Sequence, residues 1–170
     1  MQYEDLSINE LKELLKAYAK CWLAHDGCWF LSVEEGLGTE EAITYDREAW
    51  RKFAPLEARR VMEARGIEPA GGLAALAEAL KFRMYRWLNE QEVKLSGNTL
   101  TFEMKGCRVQ EARRRKGLAD FPCKSVGIVE FGEFARAVDE RIKTECLKCP
   151  PDELAEYEFC AWRFNIEDSD

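Results

Sequence analysis

Apolar residues in the first third of the chain recur with helical spacing. Leu11, Leu15, Tyr18, Trp22, His25 and Trp29 alternate steps of four and three, and so share one helix face. Ser7-Ile8-Asn9-Glu10 has capping-box spacing, which starts the helix at Ile8; Gly36 and Gly38 end it. A second helix is predicted from about Thr39 to Arg65, broken near Asp46 and stopped by Gly66 and Pro69. A third, rich in Ala and Leu, runs from about Gly72 to Glu90.

The period then shortens to two. In VKLSGNTLTFEM, Leu100, Phe102 and Met104 fall on one face of a strand, and Ser-Gly-Asn offers a turn back to Val93–Leu95. Helices follow at 108–117 and 124–138, then strands at Arg141–Cys146 and Tyr157–Ile166 joined through Pro150-Pro151. The class is therefore α+β: an N-terminal helical layer, then a small, mainly antiparallel sheet with two helices. Residues 1–91 form the helical region, 92–166 a cysteine-rich α+β region and 167–170 a frayed tail, all in one compact unit.

Composition narrows the setting. Hydrophobic residues at 46% and charged residues at 34% are those of a soluble globular domain. No apolar run approaches the roughly 18 residues that span a bilayer. The acidic start MQYEDLSINE lacks the layout of a signal peptide, so a cytoplasmic location is expected. A net charge of −7 argues against general nucleic-acid binding. The expected partner is a small-molecule ligand, with a homodimer left open.

Seven cysteines in a reducing compartment point to metal binding or thiol chemistry rather than to bridges. Cys146-Leu147-Lys148-Cys149 is a C-x2-C knuckle, whose two thiolates can reach one ion. A hairpin of the last two strands would bring Cys146, Cys149 and Cys160 near each other. Cys107 and Cys123 stand near helix starts, where thiol pKa values fall. Zinc or an iron–sulfur cluster, reactive thiols and inert packing all remain open.

The only histidine, His25, lies in CWLAHDGCWF. Cys21, His25 and Cys28 share a helix face and could ligate zinc, yet the same stripe is the core stripe, and packing is the first reading. Asp26 adds a titratable neighbour, and Gly27 leaves room for a ligand or another backbone. Residues 105–124 carry seven basic side chains against two acidic ones, so Arg108 or Arg113 could hold a carboxylate. The ARRRK run also reads as a solvated helix face. One histidine excludes multi-histidine metal catalysis, and neither a phosphate loop nor a G-x-S-x-G elbow is present.

Four motifs, HDGCWF, CRVQEARRRKGLADFPCKSVG, DERIKTECLKCPPD and CAWRF, resemble a group of uncharacterised cytosolic proteins of anaerobic bacteria and archaea. That group is similar in turn to the L-2-amino-thiazoline-4-carboxylate hydrolase-like family, matched here by Cys107, Cys123, Asp139 and Cys160 with Trp162-Arg163-Phe164. The resemblance implies hydrolysis of a cyclic C–N bond. The knuckle belongs to the closer group alone, and Cys28 falls outside its histidine motif.

Two readings follow. A hydrolase would use a thiolate or metal-activated water, with His25, Asp26 or Asp139 moving protons and Arg108 or Arg113 binding a carboxylate. A non-catalytic module would hold zinc or a cluster on cysteines drawn from Cys107, Cys123, Cys146, Cys149 and Cys160. Three ligands plus water would mark the first and a closed four-cysteine site the second.

Overall fold

A computed structural model describes residues 5–154 and 158–166. The chain divides into two compact units, Met1–Ala42 and Ile43–Asp170. The expected frayed tail at 167–170 and the predicted strand start at Tyr157 lie outside the described residues. Among the described residues no helix is long and apolar enough to cross a membrane.

The first unit is built on α1, Ile8–Leu37. Its capping box forms as the sequence predicts: Glu10 N–H donates to Ser7 Oγ at 3.3 Å, and Ser7 N–H donates to the Glu10 carboxylate at 2.8 Å. Gly38 closes the helix at φ +92°, a backbone conformation open to glycine. The stripe expected to face a core instead points outward. Leu15, Tyr18 and Trp29 are 49%, 62% and 65% exposed, and Ala19 is the buried residue of the helix. The reason is size: a unit of about forty residues has too little chain to enclose a core. Helix α2, Thr39–Arg65, runs across the boundary and passes Asp46 without the predicted break.

In the second unit the sheet is antiparallel, with strand order β1-β2-β4-β3. The strands are β1 (Glu90–Ser96), β2 (Thr99–Gly106), β3 (Ile142–Lys148) and β4 (Ala161–Ile166). An α+β class with helices first is what the sequence predicts. Leu100, Phe102 and Met104 lie buried on one face, as their alternation requires. Cross-strand pairing of Phe102 with Trp162, and of Leu100 with Phe164, extends that face over β4. Onto the sheet pack α3, Gly72–Leu80, and α5, Lys124–Val138, while α4, Arg108–Arg115, follows β2. Phe131 of α5 stacks on Trp162 at 4.8 Å between ring centroids and meets Phe102 at 5.0 Å.

The third helix is shorter than its composition predicts. It ends at Leu80, a short 3-10 turn covers Met84–Trp87, and Glu90 already belongs to β1. Arg83 causes the change of direction. Its guanidinium is buried and ion-paired to Glu57 of α2 at 2.8 Å and to Glu130 of α5 at 2.7 Å. Met84 N–H donates to the second oxygen of Glu57 at 3.1 Å. Trp50, Tyr85, Phe131 and Phe134 all lie within 6 Å of the guanidinium carbon. A continuing helix would carry Arg83 past this meeting point. Burial by itself would lower the Arg83 pKa, but Glu57 and Glu130 reverse that and hold it raised.

Removing this cation leaves Glu57 buried without its counter-ion. Arg83→Met is expected to cost about 3–5 kcal/mol of unfolding free energy in urea titration. A cost below about 1 kcal/mol would show that the pair is not a stabilising anchor.

Candidate metal-binding thiol site

Four chain segments deliver cysteines to one end of the sheet. Cys107 is the N-cap of α4, directly after β2, and Cys123 is the N-cap of α5. Cys146 and Cys149 flank the end of β3, and Cys160 precedes β4. A bulge directs the knuckle: Cys146 pairs with Trp162 and Lys148 with Ala161, leaving Leu147 unpaired between them. The chain is thereby turned so that Cys149 is buried. Its Sγ donates to Cys123 Sγ at 3.7 Å, and its ionisation is linked to that of the Cys160 and Cys146 thiols. Cys149 is thus the hub of the cluster. Cys107 feels the charge of Cys160 and Cys123.

Polar contacts hold these segments in place. Gln110, buried in α4, donates to Phe121 O at 2.8 Å and to Cys123 Sγ at 3.5 Å, and accepts from Phe121 N–H at 2.8 Å. The knuckle is closed by Asp152, which accepts from Cys149 N–H at 3.1 Å, while Asp152 N–H donates to Cys149 O at 2.9 Å. Lys124 then clamps Asp152 through both carboxylate oxygens at 2.8 and 2.9 Å, and its N–H donates to Pro150 O at 2.9 Å. The Lys124 ammonium is a nearby positive charge for Cys146 and Cys149.

The thiols do not ionise alike. Burial pushes Cys107 up to about 12, against weaker help from the N–H groups of Gln110 and Val109. Cys149 is also raised, first by its hydrogen bond to Cys123 and the neighbouring Cys160 thiol and then by burial. Cys146 is raised by burial, and Lys124 opposes this. Cys160 goes the other way: the neighbouring Cys149 thiol, and after it the Trp162 indole, favour its thiolate against its own burial. Packed thiols cannot all carry charge unless a cation joins them. Among the described residues, no group of three or more His, Cys, Asp or Glu side chains is placed so that it could hold a metal ion without rearrangement.

Trp162 is the other unusual group. It is fully buried, and its Nε1–H reaches no acceptor at full hydrogen-bond geometry. A buried donor left so costs on the order of 1–3 kcal/mol. Gly127 makes room for the ring, since a Cβ there would lie 2.6 Å from Trp162 Cζ2.

A family model for a family of unknown function, DUF6125, matches residues 4–166. The chain belongs to DUF6125. No curated protein and no solved structure matches it.

In this DUF6125 chain the other predicted site residues are scattered. His25 and Asp26 lie on α1 in the first unit, with Cys21, His25 and Cys28 exposed and Asp26 half-buried. Burial raises the Asp26 pKa, and the neighbouring His25 pulls it back. Arg108 follows Cys107 at the start of α4, where its N–H donates to Asn89 Oδ1 at 3.0 Å. Arg113 Nε donates to Ala119 O at 2.8 Å. Asp139 stands at the far end of α5, roughly 24 Å along the helix from Cys123. Its buried carboxylate accepts from Gly72 N–H at 3.0 Å, Arg141 N–H at 3.1 Å and the Arg141 guanidinium at 2.6 Å.

Sequence reasoning had no route to Lys124–Asp152, Gln110 or the Arg83 pairs, because each joins residues far apart in the chain. Trp162 carried a weak signal, two positions from Cys160 and so on the same strand face.

Asp139 gives a pH-dependent component of stability. Arg141 holds its pKa at about 2, below the 3.8 of an ordinary aspartate. The stabilisation is therefore complete above about pH 4 and is lost as pH falls towards 2, amounting to about 2 kcal/mol. Asp139→Asn is expected to remove this part of the acid dependence in denaturation curves taken between those limits. Superimposable acid profiles would refute the assignment.

Proposed function

We propose that this protein binds a single thiolate-seeking metal ion, zinc before others, through Cys123, Cys146, Cys149 and Cys160. The observation that carries the reading is the meeting of Cys149 and Cys123, whose sulfurs lie 3.7 Å apart, at the end of the sheet where Cys146 and Cys160 also stand and share in the ionisation of Cys149 and its neighbours. Two thiolates on one tetrahedral zinc stand about 3.8 Å apart, given a Zn–S bond of about 2.3 Å. The donor set is all sulfur, which suits zinc, and the surroundings suit the negative charge that four thiolates bring. The N-terminus of α5 carries Cys123, Lys124 stands beside the sulfurs, and the Trp162 N–H lacks an acceptor. Cys107 is the fifth thiol, outside the ligand set.

A closed four-sulfur set makes this a non-catalytic module that stabilises the domain or responds to redox conditions. Hydrolysis of a small carboxylate-bearing substrate, through a relationship to the thiazoline-carboxylate hydrolase-like family, is less well supported. Cys107, the thiol left over, is held protonated by a pKa of about 12 and so makes a poor nucleophile at neutral pH. Asp139 is committed to Gly72 and Arg141.

Protein purified anaerobically without chelators should contain close to one zinc per chain by elemental analysis. Cys123→Ser and Cys149→Ser should each abolish retention, while Cys21→Ser and Cys28→Ser should leave it unchanged. Metal-free protein with all seven thiols titratable would overturn the proposal, and stoichiometric iron with visible cluster bands would replace zinc by a cluster.

A further inference from the structure

We infer that Trp162 is a positioning residue of this thiolate site, its indole N–H donating to the Cys160 sulfur once that sulfur is ionised by a bound metal. The inference rests on the metal reading above. It begins from an unsatisfied group: Trp162 is fully buried, and Nε1 is one of two buried side-chain polar atoms without a hydrogen-bond partner among the described residues. Native interiors rarely leave such a donor unpaired, and a missing ion or ligand is one of the standing reasons.

The backbone register says where the acceptor lies. Cys160 precedes Trp162 by two positions, and its carbonyl accepts from Met104 N–H at 2.9 Å, continuing the pairing of β4 with β2, so both side chains leave the same face. Cys146 is the cross-strand partner of Trp162 and brings a second sulfur to the same row. Trp162 is therefore flanked by two of the four proposed ligands, one along the chain and one across the sheet. A neutral thiol is a weak acceptor, whereas a metal-bound thiolate keeps lone pairs that accept N–H donors.

The ring has little freedom to turn elsewhere. Gly127 at the start of α5 admits its edge at a distance no Cβ would allow, and Phe131 stacks on its face. The donor is thus preset before any ion arrives. Such donors fix the orientation of a metal ligand, and their loss typically weakens metal binding 10–100-fold.

Cobalt(II) and Trp162→Phe provide the test, since phenylalanine keeps an aromatic ring and removes the N–H. Wild-type protein should take up cobalt with intense sulfur-to-metal charge-transfer bands. The variant should show those bands displaced to lower energy, because a thiolate without a hydrogen bond gives up electrons more readily. Its zinc affinity, measured by competition with a chromophoric chelator, should fall roughly 10–100-fold. Identical bands and affinity in the two proteins would overturn this inference and leave the metal site standing. Wild-type protein without thiolate–cobalt bands would instead overturn the metal reading, and this inference with it. Should the variant not fold, the wild type suffices. Cadmium loading should move one of the five indole N–H resonances downfield, and five unmoved resonances would refute the contact.

Discussion

The Ile43–Asp170 unit is organised around one buried cation. Arg83 draws Glu57 of α2 and Glu130 of α5 to a single guanidinium, inside a shell of four aromatic rings. Placing three charges in a low-dielectric core is costly, and only close pairing with good geometry offsets it. Elements that carry those charges therefore have little freedom to shift. Arg83 sets where α3 must stop, Glu57 sets the rotation of α2, and Glu130 sets the position of α5.

From α5 the constraint passes to the thiols. Phe131, next to Glu130, belongs to the aromatic shell and also stacks on Trp162. Gly127, one helical turn earlier, lets Trp162 lie against the helix, and Cys123 caps the same helix. The anchor and the cysteine cluster are thus two ends of one packed row: Arg83, Glu130, Phe131, Trp162, Cys160. Glu130 even contributes an unfavourable charge to Cys160 ionisation. An anchored scaffold behind a group of thiols is what a ligand constellation requires, since donor positions must be held before the ligand arrives.

The knuckle is positioned by separate means. A bulge at Leu147 turns the chain, and Asp152 ties the turn to Lys124 at the foot of α5. Lys124 serves two ends at once, as a mechanical clamp on the Cys149 turn and as positive charge beside two sulfurs. Belonging to DUF6125 names neither a reaction nor a ligand, so the reading of this site rests on its own residues and geometry.

Local pattern alone determined much of the fold. The capping box at Ser7, the strand face of Leu100, Phe102 and Met104, and α5 from Lys124 to Val138 all follow from short-range chemistry and periodicity. The meeting of Cys146 with Cys149 was also legible, because a two-residue spacing is itself a distance constraint. Tertiary structure decided the rest. Periodicity marks α1 as amphipathic, yet it carries no information on what covers Trp29 or Tyr18, and those residues are exposed. Helix propensity carries α3 on to Glu90, yet the helix ends at Leu80, where the two ion pairs of Arg83 with Glu57 and Glu130 take over. Whether Cys123 would meet Cys149, and whether Asp139 would meet either, depended on which ends of α5 and β3 coincide. Contacts between residues distant in sequence depend on the packing of whole elements, and no local run of residues encodes that.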